Sequence, residues 1–122
     1  MKKLLLLGLF SLILISCKDR TEDDGNSFCN VERAYATDII DKTGTLIYDE
    51  EKAKFAIKYY PIDNTIDDVH YYFLCEKPEN IDVNTFVIFS GKLYNFNSNE
   101  NFNPNVGGAE YYFIKTTKIN VL

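Results

Sequence analysis

Thr85-Phe86-Val87-Ile88-Phe89-Ser90-Gly91-Lys92-Leu93-Tyr94 carries four consecutive apolar residues and a glycine inside an otherwise strand-forming run. Residues on a strand alternate between its two faces, so Phe86 to Phe89 place apolar groups on both. That is the pattern of a strand covered on both sides, and it marks this segment as the most central of a sheet. Gly91 has no side chain to pack, and within a strand it predicts a bulge or a sharp bend. Working outward, the flanking segments also read as strands. Tyr and Phe contribute nine residues each, and both suit a pleated, half-buried surface. Val31 to Ile40 is a possible first strand. Thr43 to Tyr48, the polar Asp49-Glu50-Glu51-Lys52 and Ala53 to Tyr60 read as a hairpin, whose second arm alternates Phe55, Ile57 and Tyr59 with Lys54, Ala56 and Lys58. Val69 to Cys75 is a further strand, ended by Glu76-Lys77-Pro78, and Glu110 to Val121 is the last. Lys77 to Asn84 has room for a single helical turn.

Five or six strands, one strongly bent, with at most a short helical turn, predict an all-β fold. The expected form is a small antiparallel barrel of OB-like Greek-key type, with an immunoglobulin-like sandwich as the alternative. The segment from Thr43 to Ile119 also resembles small uncharacterised bacterial lipoproteins of OB-like form. The resemblance lies in the hairpin, the Cys-Glu-Lys-Pro-Glu-Asn turn, the Val-Ile-Phe-Ser-Gly-Lys strand and the closing Glu-Tyr-Tyr-Phe-Ile-Lys strand.

The amino terminus reads as an export signal. Met1-Lys2-Lys3 is a basic start, and Leu4 to Ile15 is an apolar stretch too short to span a bilayer. Leu14-Ile15-Ser16-Cys17 resembles the lipobox of bacterial lipoproteins. That resemblance implies cleavage before Cys17 and lipidation of its thiol and new amine. The expected organisation is a signal peptide over residues 1–16, a lipidated Cys17 opening an acidic tether over 17–27, and a β-barrel domain over 28–122. One acyl chain anchors a protein only marginally, whereas two or three on Cys17 make release negligible. The partner implied is thus the membrane, through the lipid on Cys17. Lys18 followed by acidic residues is similar to the surface-export signal of some Gram-negative lipoproteins; periplasmic retention at the outer membrane is the other expectation.

Charge narrows the partners further. Eighteen acidic against thirteen basic residues give −5, and cleavage would remove Lys2 and Lys3 as well. Such a chain is not built to neutralise phosphates, so no nucleic-acid partner is expected. Two cysteines remain besides Cys17. In an oxidising compartment Cys29 and Cys75 are expected to form a disulfide, closing a loop of about 46 residues and contributing roughly 4 kcal/mol in the chain-entropy model.

Catalytic groups are sparse. His70 is the only histidine, with Asp67 and Asp68 just before it. A His–Asp pair has the chemistry of a general base, but a loop-edge histidine beside acidic neighbours is the reading adopted. No serine lies in a nucleophile elbow, no phosphate loop is present, and neither a metal nor a cofactor is called for. The Asn-rich run from Asn95 to Asn105 alternates like a Ca²⁺ loop, yet Glu100 is its only carboxylate. Its Phe96 and Phe102 are expected to fold back onto the barrel, the alternative being a contact surface.

Ser90-Gly91-Lys92-Leu93-Tyr94 is similar to the Ser-Gly-x-x-Tyr element of the membrane-bound inhibitors of c-type lysozyme. That resemblance implies that Ser90, with Tyr94 beside it and Lys115 from a second element, enters the lysozyme cleft. The second element departs from the family, since Lys115 follows Phe113-Ile114 and precedes Thr116, and the chain has no Trp. The expectation is therefore a non-catalytic envelope module binding a protein or glycan, with Ser90, Tyr94, Phe96, Phe102 and Lys115 as candidate binding residues. Lysozyme inhibition is the first alternative and an enzyme the second.

Overall fold

A strand of fifteen residues, Tyr35–Asp49 (β1), organises the molecule. The computed structural model describes residues 28–61, 68–104 and 107–122. The segments read above as signal peptide and tether, with Cys17 between them, and Asp67 lie outside the described residues. Arg33–Leu122 form one compact unit; residues 28–32 belong to another, and 28–30 are helical. Beyond β1 come Lys54–Tyr59 (β2), Val69–Phe73 (β3), Phe86–Tyr94 (β4) and Ala109–Val121 (β5). They close into a barrel in the order β1-β2-β3-β5-β4, with β4 returning to β1. A closed ring in this order is an OB-like barrel and excludes the two facing sheets of a sandwich.

Three sequence expectations are corrected. The two segments read as separate strands, Val31–Ile40 and Thr43–Tyr48, form one strand that starts only at Tyr35. Its continuity is kept through a bulge between Ile39 and Lys42, where Asp41 takes φ 49°. The bent strand pairs with β4 along one edge and β2 along the other, so Thr45 faces both Phe86 and Lys58. Second, the barrel is not wholly antiparallel. Four of the five pairs are, but β3 and β5 run parallel, Val69 to Phe73 beside Ala109 to Phe113. The chain reverses into β4 on the far side of β5 and reverses again, so β5 returns in the direction of β3. Third, 77–84 forms turns with Asn80 and Asn84 at positive φ, and the helical turn is Ser98–Glu100 in the Asn-rich loop.

Gly91 stands where its bend was expected. The β4–β5 register shifts between Ser90 and Gly91, and a Cβ there would sit 2.5 Å from the Lys115 carbonyl oxygen. Inside the ring, Leu46, Ile57, Tyr72, Leu74, Val87, Phe89, Leu93 and Ile114 form the core. Cys29 and Cys75 are disulfide-bonded, as expected from the sequence.

Candidate binding face

The tripeptide Tyr-Tyr-Phe occurs twice, at Tyr71-Tyr72-Phe73 on β3 and Tyr111-Tyr112-Phe113 on β5. Parallel pairing sets the copies side by side: Tyr71 with Tyr111, Tyr72 with Tyr112, Phe73 with Phe113. Period two then sorts them. Tyr72 and Tyr112 pack with the barrel core, and the other two pairs face outward. The β2 register completes two outward rows, Lys58–Tyr71–Tyr111 and Ala56–Phe73–Phe113.

The second row is roofed. Phe73 and Phe113 are almost wholly buried although they face away from the core, because the β4–β5 loop lies over them. Phe96 and Phe102 stack at 4.2 Å with 15° between planes, and both meet Phe73 edge-on, at 5.9 and 5.1 Å. They do fold back onto the barrel. The Arg33 guanidinium lies 4.3 Å from the Phe113 ring centre and 5.4 Å from Phe96. Arg33 also grips the Glu100 carboxylate with Nε and Nη2, at 3.0 and 3.1 Å from Nε to the two oxygens. Glu100 accepts a further bond from the Asn97 backbone N–H at 2.8 Å. Burial pushes its carboxyl up, but the Arg33 hydrogen bonds, the Asn97 N–H and the Arg33 charge together hold it below its ordinary range. The one carboxylate of the Asn-rich run is thus committed to a loop latch, not to a cation.

The first row stays open to solvent. Tyr71 and Tyr111 meet edge to face at 5.4 Å and are half-buried, and Tyr60 beside them is exposed. The Lys58 ammonium sits 5.6 Å from the Tyr60 ring centre and 6.0 Å from that of Tyr71. Its pKa is raised, first by the hydrogen bond with Tyr60 and, against the opposing effect of burial, by Tyr71 and Tyr60 electrostatically. Burial raises the Tyr111 phenol, with help from the charges of Asp49, Tyr71 and Glu51. One end of this face is bounded by two loops that touch. Lys52, between β1 and β2, donates to the Asn101 carbonyl at 3.1 Å and lies 5.5 Å from the Phe102 ring centre. The outer β2–β3 surface between these two loops is where OB barrels take oligosaccharides and oligonucleotides.

The five candidate residues from the sequence separate into two places. Tyr94, Phe96 and Phe102 belong to the aromatic surroundings of Phe73 and Phe113, and the Lys115 ammonium lies 5.3 Å from the Tyr94 ring centre. Ser90 is elsewhere, buried at the β1 bulge. Its Oγ accepts the Asp41 N–H at 2.8 Å and donates to Asp41 Oδ1 at 3.3 Å, which also receives Lys118 Nζ at 2.9 Å. In register Ser90 faces Lys118, not Lys115. Its hydroxyl already has work in holding the left-handed Asp41, which weighs against the role that the lysozyme-inhibitor resemblance implied. Sequence reasoning passed over Lys58, Tyr60, Tyr71 and Tyr111. The repeated Tyr-Tyr-Phe was the visible signal, but its meaning depends on a parallel pairing that the periodicity of neither strand reveals. No protein-family model matches the chain, and no curated protein matches it in sequence.

Proposed function

We propose that this chain is a non-catalytic binding module, held at the bacterial outer membrane by lipid on Cys17, whose outer β2–β3–β5 face takes an extended glycan. The row Lys58–Tyr71–Tyr111, with Tyr60 beside it, is the observation that supports the glycan. Its rings offer flat apolar faces with hydroxyls at their tips, which match a sugar's own combination of C–H faces and hydroxyl rims. A neutral or weakly charged glycan also suits a chain of net charge −5 better than a polyphosphate does. The lipidated Cys17 supplies the location, and the acidic residues after it keep the barrel away from anionic lipid.

Titration of the protein with chito-oligosaccharides and soluble peptidoglycan fragments tests the face. Binding that falls at least tenfold in Tyr71→Ala and in Tyr111→Ala is expected. Absence of binding to either glycan class removes the glycan reading, and binding unchanged by both substitutions removes the face. The anchor is tested separately: Cys17→Ala should move the protein from the membrane fraction to the soluble one.

A further inference from the structure

At the end of the barrel where β2 stops and β3 and β5 begin, the inward row is Tyr59–His70–Glu110. His70 Nε2 lies 2.6 Å from Glu110 Oε2 and 3.5 Å from Asp68 Oδ1, and one donor atom from each residue falls within 4.8 Å of the others. We infer that Asp68, His70 and Glu110 form a binding site for a first-row divalent cation of the Zn²⁺ type at this end of the barrel.

The outer groups already orient the three donors. The other imidazole nitrogen, Nδ1, is 2.9 Å from the Tyr72 hydroxyl. In the metal-bound tautomer the proton sits on Nδ1 with the Tyr72 oxygen accepting it, and the Nε2 lone pair is left to the cation in place of the proton it shares with Glu110 when metal-free. Tyr112 donates from its hydroxyl to Glu110 Oε1 at 3.2 Å, which leaves Oε2 for the same centre. The rings of Tyr72, Tyr112 and Tyr59 stand 5.7, 5.8 and 6.2 Å from the imidazole and restrict its rotation. Metal-bound histidines commonly hold their second nitrogen in this way, which fixes tautomer and ring orientation.

Charge and spacing agree with the geometry. Two carboxylates flank the one imidazole, and among the described residues neither Asp68 nor Glu110 is paired with a lysine or arginine. Ligands 2.0–2.1 Å from a tetrahedral ion lie roughly 3.3 Å from one another. The Nε2–Asp68 separation is near that value already, and the Glu110 carboxylate has to move back from Nε2 by about 0.7 Å and settle beside Asp68, whose donor oxygen lies within 4.8 Å of it. Glu110 has a side chain half open to solvent and can make that movement. One nitrogen and two carboxylate oxygens suit Zn²⁺ or a neighbouring transition ion, not Ca²⁺, which takes six to eight oxygens. Three protein ligands leave the fourth position to water.

His70 is the sole histidine, so its ring nitrogens give the only imidazole signals in a ¹⁵N-histidine-labelled spectrum of the full chain in detergent. One equivalent of Zn²⁺ should shift Nε2 and leave Nδ1 protonated, whereas the same amount of Ca²⁺ should do neither. In Glu110→Gln and in Asp68→Asn the Zn²⁺ affinity read from that shift should fall at least tenfold, with the metal-free thermal midpoint unchanged. A Nε2 signal unmoved by excess Zn²⁺, or one moved at equal concentrations in the parent and both variants, overturns the site. Glycan binding by the outer face is read independently, so failure of either proposal is distinguishable from failure of the other.

Discussion

Gly91 does work that no other residue type can do at its position. An added Cβ would meet two backbone atoms, the Lys115 oxygen at 2.5 Å and the Thr116 Cα at 3.0 Å, and backbone in a paired strand yields little. Gly44 is held similarly, with a Cβ 2.8 Å from the Lys58 oxygen and 2.7 Å from Ile57. Replacing Gly91 by alanine should cost about 1–3 kcal/mol, the usual range for overpacking. Urea denaturation checks this; an unchanged midpoint would mean that β4 and β5 can separate there without penalty. The glycine was readable as a bend because an isolated glycine in an apolar strand has few other uses. The companion feature at Asp41 was not readable, since the partner that secures its positive φ, Ser90, is 49 residues away.

Among the elements, the β4–β5 loop shows how a polar segment can be given a defined shape. Its sequence holds too few apolar residues for a core of its own, so Phe96 and Phe102 use Phe73 as a floor and Glu100 is held by Arg33. The Arg33 and Glu100 side chains are 2% and 12% exposed, so removing the guanidinium leaves the Glu100 carboxylate poorly hydrated and without its cation. Arg33→Ala should therefore cost about 3–5 kcal/mol. Acid should act at the same latch. The Glu100 carboxyl is held below its ordinary range in the folded state, so its contribution is complete above the unfolded carboxylate pKa of about 4.3. It is lost as pH falls through the lower folded value. Stability followed by urea titration from pH 7 downward should drop less steeply below about pH 4 in Glu100→Gln than in the parent protein. The two phenylalanines announced their own burial, being poorly suited to water. Arg33 gave no such signal, because an arginine in a polar segment ordinarily reads as solvated.

For the whole molecule, the Cys29–Cys75 disulfide limits the unfolded chain more than it reshapes the folded one. Its closed loop of about 46 residues corresponds to roughly 4 kcal/mol of loop-closure entropy, a large share of what a domain of this size retains in total. Reduction, or Cys75→Ser, should lower the urea midpoint by an amount of that order and leave the far-UV spectrum of the native state unchanged. Local physics settled much of this protein from its sequence alone. Alternation of side chains, aromatic content and one misplaced glycine determined an all-β barrel with an irregularity at Gly91, and cysteine number pointed to the disulfide. That β4 is no more central than its neighbours, with Phe86 exposed, follows from closure of the ring. Tertiary structure alone decided that two apparent strands are one, that β3 and β5 run parallel, and that Tyr71 meets Tyr111 and His70 meets Glu110. Those pairings join residues 40 apart along the chain. Their register is selected by closure of the whole ring, and a periodicity that repeats every two residues carries no record of which distant strand will lie alongside.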